Sequence, residues 1–414
     1  MIINFSVENF GSIKEKQTLS FLANKSNHLE DYYIIEPIKG LRLNKLALIY
    51  GANASGKTTV LKALDFLRKI CIEPFSKKTD KFDFEPFLFD EKTPEQNTKF
   101  ELEFVQNGIR YLYEVELNKN HIVKEKLVNF NPNRAIVFER STDEEKELAT
   151  IKFGSKIPKR KSLEDNLQIF TLWNNTVLGG FQKANLEMSI LKNISQFFIF
   201  TTSPLFYIDD NLQDVISKSV LKYKLFKNNL LKILNSADIN VSDIIIQKDE
   251  AVDDKDENNV DHNIKLVHNV KGKKYSLNYE YESEGTKKYY SYAGILQILI
   301  LEDGAIFSVD ELESSLHPEL FHHFLLTFLI NSRDSQLIAT THNREILNNR
   351  DIFRDDAIWF TDKNEESATE VYSLADFDSS VVRDTSNVLN VYKSGKLGGV
   401  PNLGDYYIDL NETE

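Results

Sequence analysis

Three groups of residues in this chain have types and spacings suited to phosphate chemistry. Gly51-Ala52-Asn53-Ala54-Ser55-Gly56-Lys57-Thr58 fits the pattern G-x-x-x-x-G-K-[ST]. Glycines at both ends let successive backbone N–H groups curl around an anion, and a helix starting at the lysine adds its positive dipole end. Lys57 would then reach β- and γ-phosphate oxygens, and the Thr58 hydroxyl would ligate Mg²⁺. The apolar run Ala305 to Val309 ends in two adjacent carboxylates, Asp310 and Glu311. Asp310 suits a metal held through water, and Glu311 suits a base that orients and deprotonates an attacking water. Further on, Gln336 to Thr340 leads into Thr341-His342. A histidine at that strand end could hydrogen-bond a γ-phosphate, although lone histidines are more often structural. The expected catalytic residues are Lys57, Glu311 and His342. The expected nucleotide contacts are Gly51, Asn53, Ala54, Ser55, Gly56, Lys57, Thr58 and Thr59, with Thr58 and Asp310 as metal ligands and ATP and Mg²⁺ as cofactors.

These groups need elements to carry them. Lys45 to Tyr50 is an apolar run of the kind a strand buried on both faces shows, and Thr58 to Ile70 carries apolar residues at helical spacing. Ile2 to Phe10 and Thr18 to Leu22 alternate, so three strands are expected before residue 51. Lys99 to Gln106, Ile109 to Leu117 and His121 to Phe130 read as an antiparallel β region, with Asn107-Gly108 as a hairpin turn. From about residue 160 to 235 the period becomes helical, interrupted at Gly179-Gly180 and Ser203-Pro204. After the acidic stretch Asp249 to Glu257 and a hairpin at Lys271-Gly272, strands and helices alternate. The pattern predicts helices from Thr286, Pro318 and Asn343 and strands at Ala305–Val309, Gln336–Thr340 and Ala357–Phe360.

Composition narrows the function. Fifty basic against 63 acidic side chains give a net charge of −13, which disfavours bulk nucleic-acid binding by charge. Cys71 is the single cysteine, so neither an intrachain disulfide nor a Cys-rich metal site is available, and a cytoplasmic location is expected. No apolar run approaches the ~20 residues of a membrane-spanning helix, so no membrane partner is expected. The cluster Lys152, Lys156, Lys159, Arg160 and Lys161 could contact phosphates or form a solvated loop, and the second reading is preferred.

The order of these parts resembles the ATP-binding-cassette (ABC) ATPase heads of the SMC, RecF and OLD class. The resemblance extends from Val7-Glu8-Asn9-Phe10 through the phosphate loop, the carboxylates and His342 to a Gly-rich tail. It implies an α/β fold, an ABC-ATPase head of the P-loop NTPase type with an antiparallel β subdomain and a helical insertion. Residues 1–150 would be the N-terminal part of the head, 151–250 a mainly helical insertion or lid, and 251–414 the C-terminal part. Such heads carry a short Ser- and Gly-containing loop before a helix, and Glu282-Ser283-Glu284-Gly285-Thr286 stands in that place. By resemblance, Ser283, Gly285 and Thr286 complete the nucleotide site of a facing subunit, so a homodimer or higher homo-oligomer through the heads is expected. Locally the same residues also read as an N-capped helix start. The loop lacks the Gly-Gly-Gln ending of transporter cassettes. Asp310-Glu-Leu-Glu-Ser-Ser-Leu-His317-Pro318 is similar to a pattern of RecF/OLD-like ATPases of prokaryotic defence, where it lies near the dimer interface; Pro318 equally suits a first helical residue. Tyr392 to Pro401 resembles a terminal segment of abortive-infection ATPases of this class, those of PARIS antiphage systems among them. Gln96 and Gln106 are candidates for the glutamine loop of cassette heads.

The resemblance implies an ATPase that controls a separate effector, a nuclease or toxin, in antiphage defence. The alternative is a RecF-like DNA-repair ATPase that clamps DNA, a partner the net charge does not favour. Nuclease activity in this chain is not expected: Asp376-Phe-Asp378 has the spacing of a metal-binding pair, but caps a turn more simply.

Overall fold

The computed structural model describes residues 1–158, 160–207, 210–248, 262–314, 316–378, 382 and 387–401. Strands β1 (Ile2–Glu8) and β2 (Gln17–Ser20) open the chain, followed by a single turn of helix, α1 (Glu30–Tyr33), and the short pair β3 (Ile34–Ile38) and β4 (Leu41–Asn44). Strand β5 (Leu46–Gly51) is buried at every residue and runs directly into the phosphate loop and helix α2 (Lys57–Ile72). Five strands therefore precede the loop, not three. The two extra ones pair chiefly with each other and are too short to show a clear period in sequence.

An antiparallel meander comes next: β6 (Thr98–Gln106), β7 (Ile109–Leu117), β8 (Ile122–Phe130), β9 (Arg134–Asp143) and β10 (Leu148–Phe153). Asn107 and Gly108 turn the first hairpin with φ of 51° and 71°, the left-handed pair that matches strand twist. Strand β1 pairs with β6 and β2, so the seven-stranded order is β10-β9-β8-β7-β6-β1-β2. Helices α3 (Arg160–Phe170), α4 (Val177–Lys183) and α5 (Ser189–Gln196) follow, and then strand β11 (Thr202–Phe206). This strand falls at the interruption expected at Ser203-Pro204, inside the stretch otherwise read as helical. Pro204 looks like a breaker, yet β11 lies at the edge of a sheet, where a missing N–H leaves no ladder bond unmade.

Beyond it come α6 (Asp210–Lys222), α7 (Lys224–Ser236), and a three-stranded sheet of β12 (Val241–Lys248), β13 (His262–Val270) and β14 (Lys273–Asn278). The acidic stretch 249–257 lies outside the described residues, as does Lys159; Lys152, Lys156, Arg160 and Lys161 are exposed. The remaining elements are α8 (Glu284–Leu301), β15 (Ile306–Val309), α9 (Pro318–Asn331), β16 (Gln336–Thr340), β17 (Ile358–Lys363), β18 (Thr369–Ser373) and α10 (Val388–Lys393). Where a helix is expected from Asn343, the chain makes two 3₁₀ turns, Glu345–Asn348 and Arg350–Ile352. Strand β18 was not anticipated.

The central sheet has the order β11-β15-β16-β5-β17-β18, parallel except for β18. Its side chains alternate between two cores, as strand geometry requires. Ala47, Ile49, Ile306 and Ile338 face α2 and the antiparallel sheet. Leu48, Tyr50, Phe307 and Leu337 face α8 and α9. The helices divide in the same way: α4 and α5 bury Leu178 and Leu191 in the first core, and α6 and α7 bury Ile216 and Leu234 in the second. Among the described residues no helix is long and apolar enough to cross a membrane.

A buried acid fastens the first group of helices. Glu125 of β8 accepts hydrogen bonds from the Tyr113 hydroxyl at 2.7 Å and from the Val177 N–H, at the start of α4, at 2.8 Å. Buried Arg140 lies nearby on β9 and donates to the Trp173 carbonyl at 2.6 Å. Burial pushes the Glu125 carboxyl up to about 7, and the Arg140 charge offsets this only in part. A carboxyl raised above its unfolded value of 4.5 contributes stability that is complete below that pH and lost as pH rises through about 7. We expect unfolding free energy to fall by roughly 2 kcal/mol between pH 5 and pH 8 from this group. Glu125→Gln should flatten that slope, which denaturant unfolding at the two pH values checks.

Candidate nucleotide site

The loop Gly51–Gly56 leaves the C-terminal end of β5 at the middle of the parallel sheet, the position where such sheets bind ligands. Two of its residues have to be glycine. A Cβ on Gly51 would sit 2.4 Å from both the Ser55 and Thr361 hydroxyl oxygens. Gly56 has φ of 108°, and its Cβ would lie 2.1 Å from Thr369 Oγ1. Gly56 is also the N-cap of α2 and supplies no side chain to cap it. The first-turn N–H groups therefore have no side-chain cap and are available to an anion. Ala54 adopts φ of 61°, a left-handed conformation that costs a non-glycine residue about 1 kcal/mol.

Hydroxyls brace the loop from behind. Ser55 is buried and its Oγ meets Thr361 Oγ1 at 2.6 Å, so this side chain is committed to the protein. Thr369 Oγ1 donates to the Ser55 carbonyl at 2.8 Å and lies 2.8 Å from Ser12 Oγ, which in turn lies 3.0 Å from Thr59 Oγ1. The Thr59 side chain is likewise engaged in bracing. Asn53 and Ala54 are exposed on the loop.

Lys57 is buried, and its Nζ donates to the carbonyls of Gly51 at 2.9 Å and Ala52 at 3.0 Å. Burial lowers its pKa, while Asp310, Glu311 and Glu313 pull it back up. Asp310, at the end of β15, receives two hydroxyls: Thr58 Oγ1 donates to Oδ2 at 2.9 Å and Thr340 Oγ1 to Oδ1 at 2.5 Å. A carboxylate and a hydroxyl converging beside the lysine form the hard-oxygen donor set that suits Mg²⁺. Glu311 has φ of 50° and donates its N–H to Thr340 Oγ1 at 2.8 Å, leaving its carboxylate exposed. His342 donates its backbone N–H to the Glu313 carboxylate. Partial burial lowers the His342 pKa, reinforced by Lys57 and opposed by Glu313 and Glu311, so the ring is neutral at pH 7.

The structure thus brings together Gly51 to Thr59, Asp310, Glu311 and His342. No hydrogen bond among the described residues joins Ser283 or Thr286 to the phosphate loop. Ser283 caps α8: its Oγ accepts from the Thr286 N–H at 3.1 Å and lies 2.8 Å from Thr286 Oγ1. His317 is the N-cap of α9 and Pro318 its first residue, and Asp376 closes a capping box with Ser373. Gln106 ends β6 in the antiparallel sheet and Gln96 follows a 3₁₀ turn, so neither lies on the central sheet. The strand beside the carboxylate strand is β11, and Tyr207 follows it.

Sequence reasoning missed Thr340, Thr361, Thr369 and Ser12. Thr340 and Thr361 are fully buried hydroxyls that each follow three apolar residues, in strands that end at the site, and that pattern could have pointed to them.

Gly56→Ala combines backbone strain with a clash. We expect it to cost about 1–3 kcal/mol and to abolish binding of a fluorescent ATP analogue. Adding Thr369→Ala should not restore binding, because the φ of residue 56 stays forbidden; equilibrium titration of both variants checks this.

The profile of a family described as "AAA domain, putative AbiEii toxin, Type IV TA system" matches residues 46–175 and 192–348, which include the phosphate loop, Ser283, Asp310, Glu311 and His342. No curated protein matches the sequence. Among solved structures, the chain is similar to an SMC head domain from Thermotoga maritima, with 12% identity and a TM-score of 0.43, covering 90% of this chain and 98% of that one. It is also similar to an SMC head bound to the C-winged helix domain of ScpA, with 14% identity, a TM-score of 0.43, and coverage of 90% and 97%.

Proposed function

The chain belongs to the family described as "AAA domain, putative AbiEii toxin, Type IV TA system", and we propose that it is an ABC-type ATPase that binds and hydrolyses ATP with Mg²⁺ to control a separate effector. Its fold is mixed α/β, with the phosphate loop at the C-terminal end of β5 in the middle of the central sheet. The observation that carries the reading is the 2.9 Å hydrogen bond between Thr58 and Asp310, which sets a phosphate-loop hydroxyl against a strand-end carboxylate.

In this reading Thr58 and Asp310 hold Mg²⁺, which when bound neutralises phosphate charge. Lys57 exchanges its two carbonyl partners for β- and γ-phosphate oxygens. Glu311, exposed beside the site, orients a water and takes its proton. Neutral His342 donates a hydrogen bond to the terminal phosphate. The likeness to cassette heads makes Ser283, Gly285 and Thr286 the loop that closes the site of a facing copy in a head-to-head dimer. The likeness to abortive-infection ATPases, those of PARIS systems included, makes a nuclease or toxin our proposed effector. Exposed Val215, Leu221 and Leu225 on α6 and α7 are its proposed contact face.

Lys57→Ala should abolish nucleotide binding. Glu311→Gln should retain it while lowering kcat by about 10²–10⁴-fold, as loss of a general base does. Phosphate release and equilibrium binding measured on the same samples separate the two effects. Turnover unchanged by Glu311→Gln would remove the assigned base. For the defence role, the chain with its neighbouring genes should lower phage plating in a sensitive host, and Lys57→Ala should restore it; plating identical with and without the genes would remove that role.

A further inference from the structure

We infer that the cavity between α7, α8 and α9 binds a small uncharged molecule with a cyclic-amide edge, the edge that nucleobases carry, which pairs with the side-chain amide of Gln297. This cavity is separate from the phosphate loop. Helix α8 ends at Leu301, just before β15 begins at Ile306, so the cavity lies toward the N-terminal ends of the parallel strands, whereas the phosphate loop leaves their C-terminal ends.

Helical spacing builds the cavity. Gln297, Ile300 and Leu301 follow i, i+3, i+4 on α8, and His323, Thr327 and Asn331 follow i, i+4, i+8 on α9, so each helix turns one stripe to a common space. Lys232 and Ile233 of α7 close the third side, and the volume is about 430 Å³, within the range of small-molecule sites. Ile233 and Ile300 supply apolar walls, and Leu301 is 54% exposed at the rim.

Two of the polar groups around it are already engaged. Ser236 Oγ donates to the Ile233 carbonyl and Asn331 Nδ2 to the Thr327 carbonyl, both at 2.8 Å, so each bonds within its own helix. Tyr289 Oη lies 3.0 Å from His323 Nδ1, and burial lowers the His323 pKa, so the ring is neutral at pH 7. Gln297 differs: it is only 2% exposed, yet its amide carbonyl has no hydrogen-bond partner among the described residues. A buried acceptor left unpaired is costly, and a leucine of similar size would line the cavity without that cost. A ligand that donates to the carbonyl removes it. A side-chain amide sets an acceptor and a donor side by side in one plane, and a cyclic amide matches them with its own N–H and C=O. Charge disfavours other classes. Among the described residues no carboxylate lines the cavity to hold a cation, and one exposed lysine, Lys232, holds a phosphate only weakly.

The test is a chemical-shift titration of the full chain with isotope-labelled glutamine, in which Gln297→Leu identifies the Gln297 side-chain resonance. Uracil and thymine both carry the cyclic-amide edge, and at least one should shift that resonance saturably with a Kd of about 1 mM or tighter. Their 1,3-dimethyl derivatives keep the ring and lose both N–H donors, and should bind about tenfold more weakly or not at all. Gln297→Leu should lose the binding and melt no lower than the parent, since it removes an unpaired buried acceptor. A resonance that neither base moves overturns the site, and a shift that the dimethyl derivatives reproduce overturns the amide pairing. A Gln297→Leu protein that melts well below the parent makes the amide a structural group and overturns the assignment too. Binding that survives Gln297→Leu and is displaced by ATP–Mg²⁺ puts the base at the phosphate loop instead, which also overturns it.

Discussion

Everything at the site depends on the two hydroxyls that hold the Asp310 carboxylate. Thr340 lies on the neighbouring strand, and Thr58 lies one strand further across, after the loop. These groups converge only while β15, β16 and β5 keep their parallel register, which pairs Val309 with Ala339 and Ala339 with Leu48. A slip of one residue would turn every side chain to the opposite face. Register is enforced by the two cores, because each strand has a buried apolar set on both sides. The hydrophobic packing of the central sheet is therefore what sets the position of one carboxylate oxygen.

The loop itself is held by hydroxyls rather than by bulk. Ser12, Ser55, Thr59, Thr361 and Thr369 form a linked set behind it. Buried hydroxyls are costly unless bonded, and here each bond fixes a neighbour in place. Lys57 follows the same logic on the opposite side. Its ammonium is desolvated, and the Gly51 and Ala52 carbonyls stand where phosphate oxygens would. An arriving phosphate therefore replaces partners already in place, so little reorganisation is required at binding.

The position of the candidate site was largely legible in the sequence because its parts are contiguous residues. Gly51 to Thr58, Asp310-Glu311 and His342 carry their meaning in local spacing, and β5 and α2 carry clear periods. What sequence did not reveal depends on pairing between distant segments. Strand β11 looks broken at Pro204 until its edge position is known. Thr369 is an ordinary polar residue until β18 brings it under the loop. The turns after His342 lack an apolar stripe long enough to distinguish 3₁₀ from α geometry, so the expected helix did not form.

The Ser283 loop and the carboxylate strand are joined more directly than their separation along the chain suggests. Helix α8 starts at the Ser283 cap; from its first turns Lys288 reaches Ser314 at 3.2 Å, and Tyr292 donates to the Leu312 carbonyl. Leu312 donates its N–H to the Thr340 carbonyl at 3.0 Å, and the Thr340 hydroxyl holds Asp310. A rigid helix and three hydrogen bonds thus connect the exposed Ser283 loop with the Asp310 carboxylate. Displacing the start of α8 would be felt at Leu312 before any bulk rearrangement, because the intervening residues Tyr289 to Leu296 are packed tightly in the second core. The start of α8 is thus tied, through Tyr292 and Leu312, to the residues that bracket Glu311.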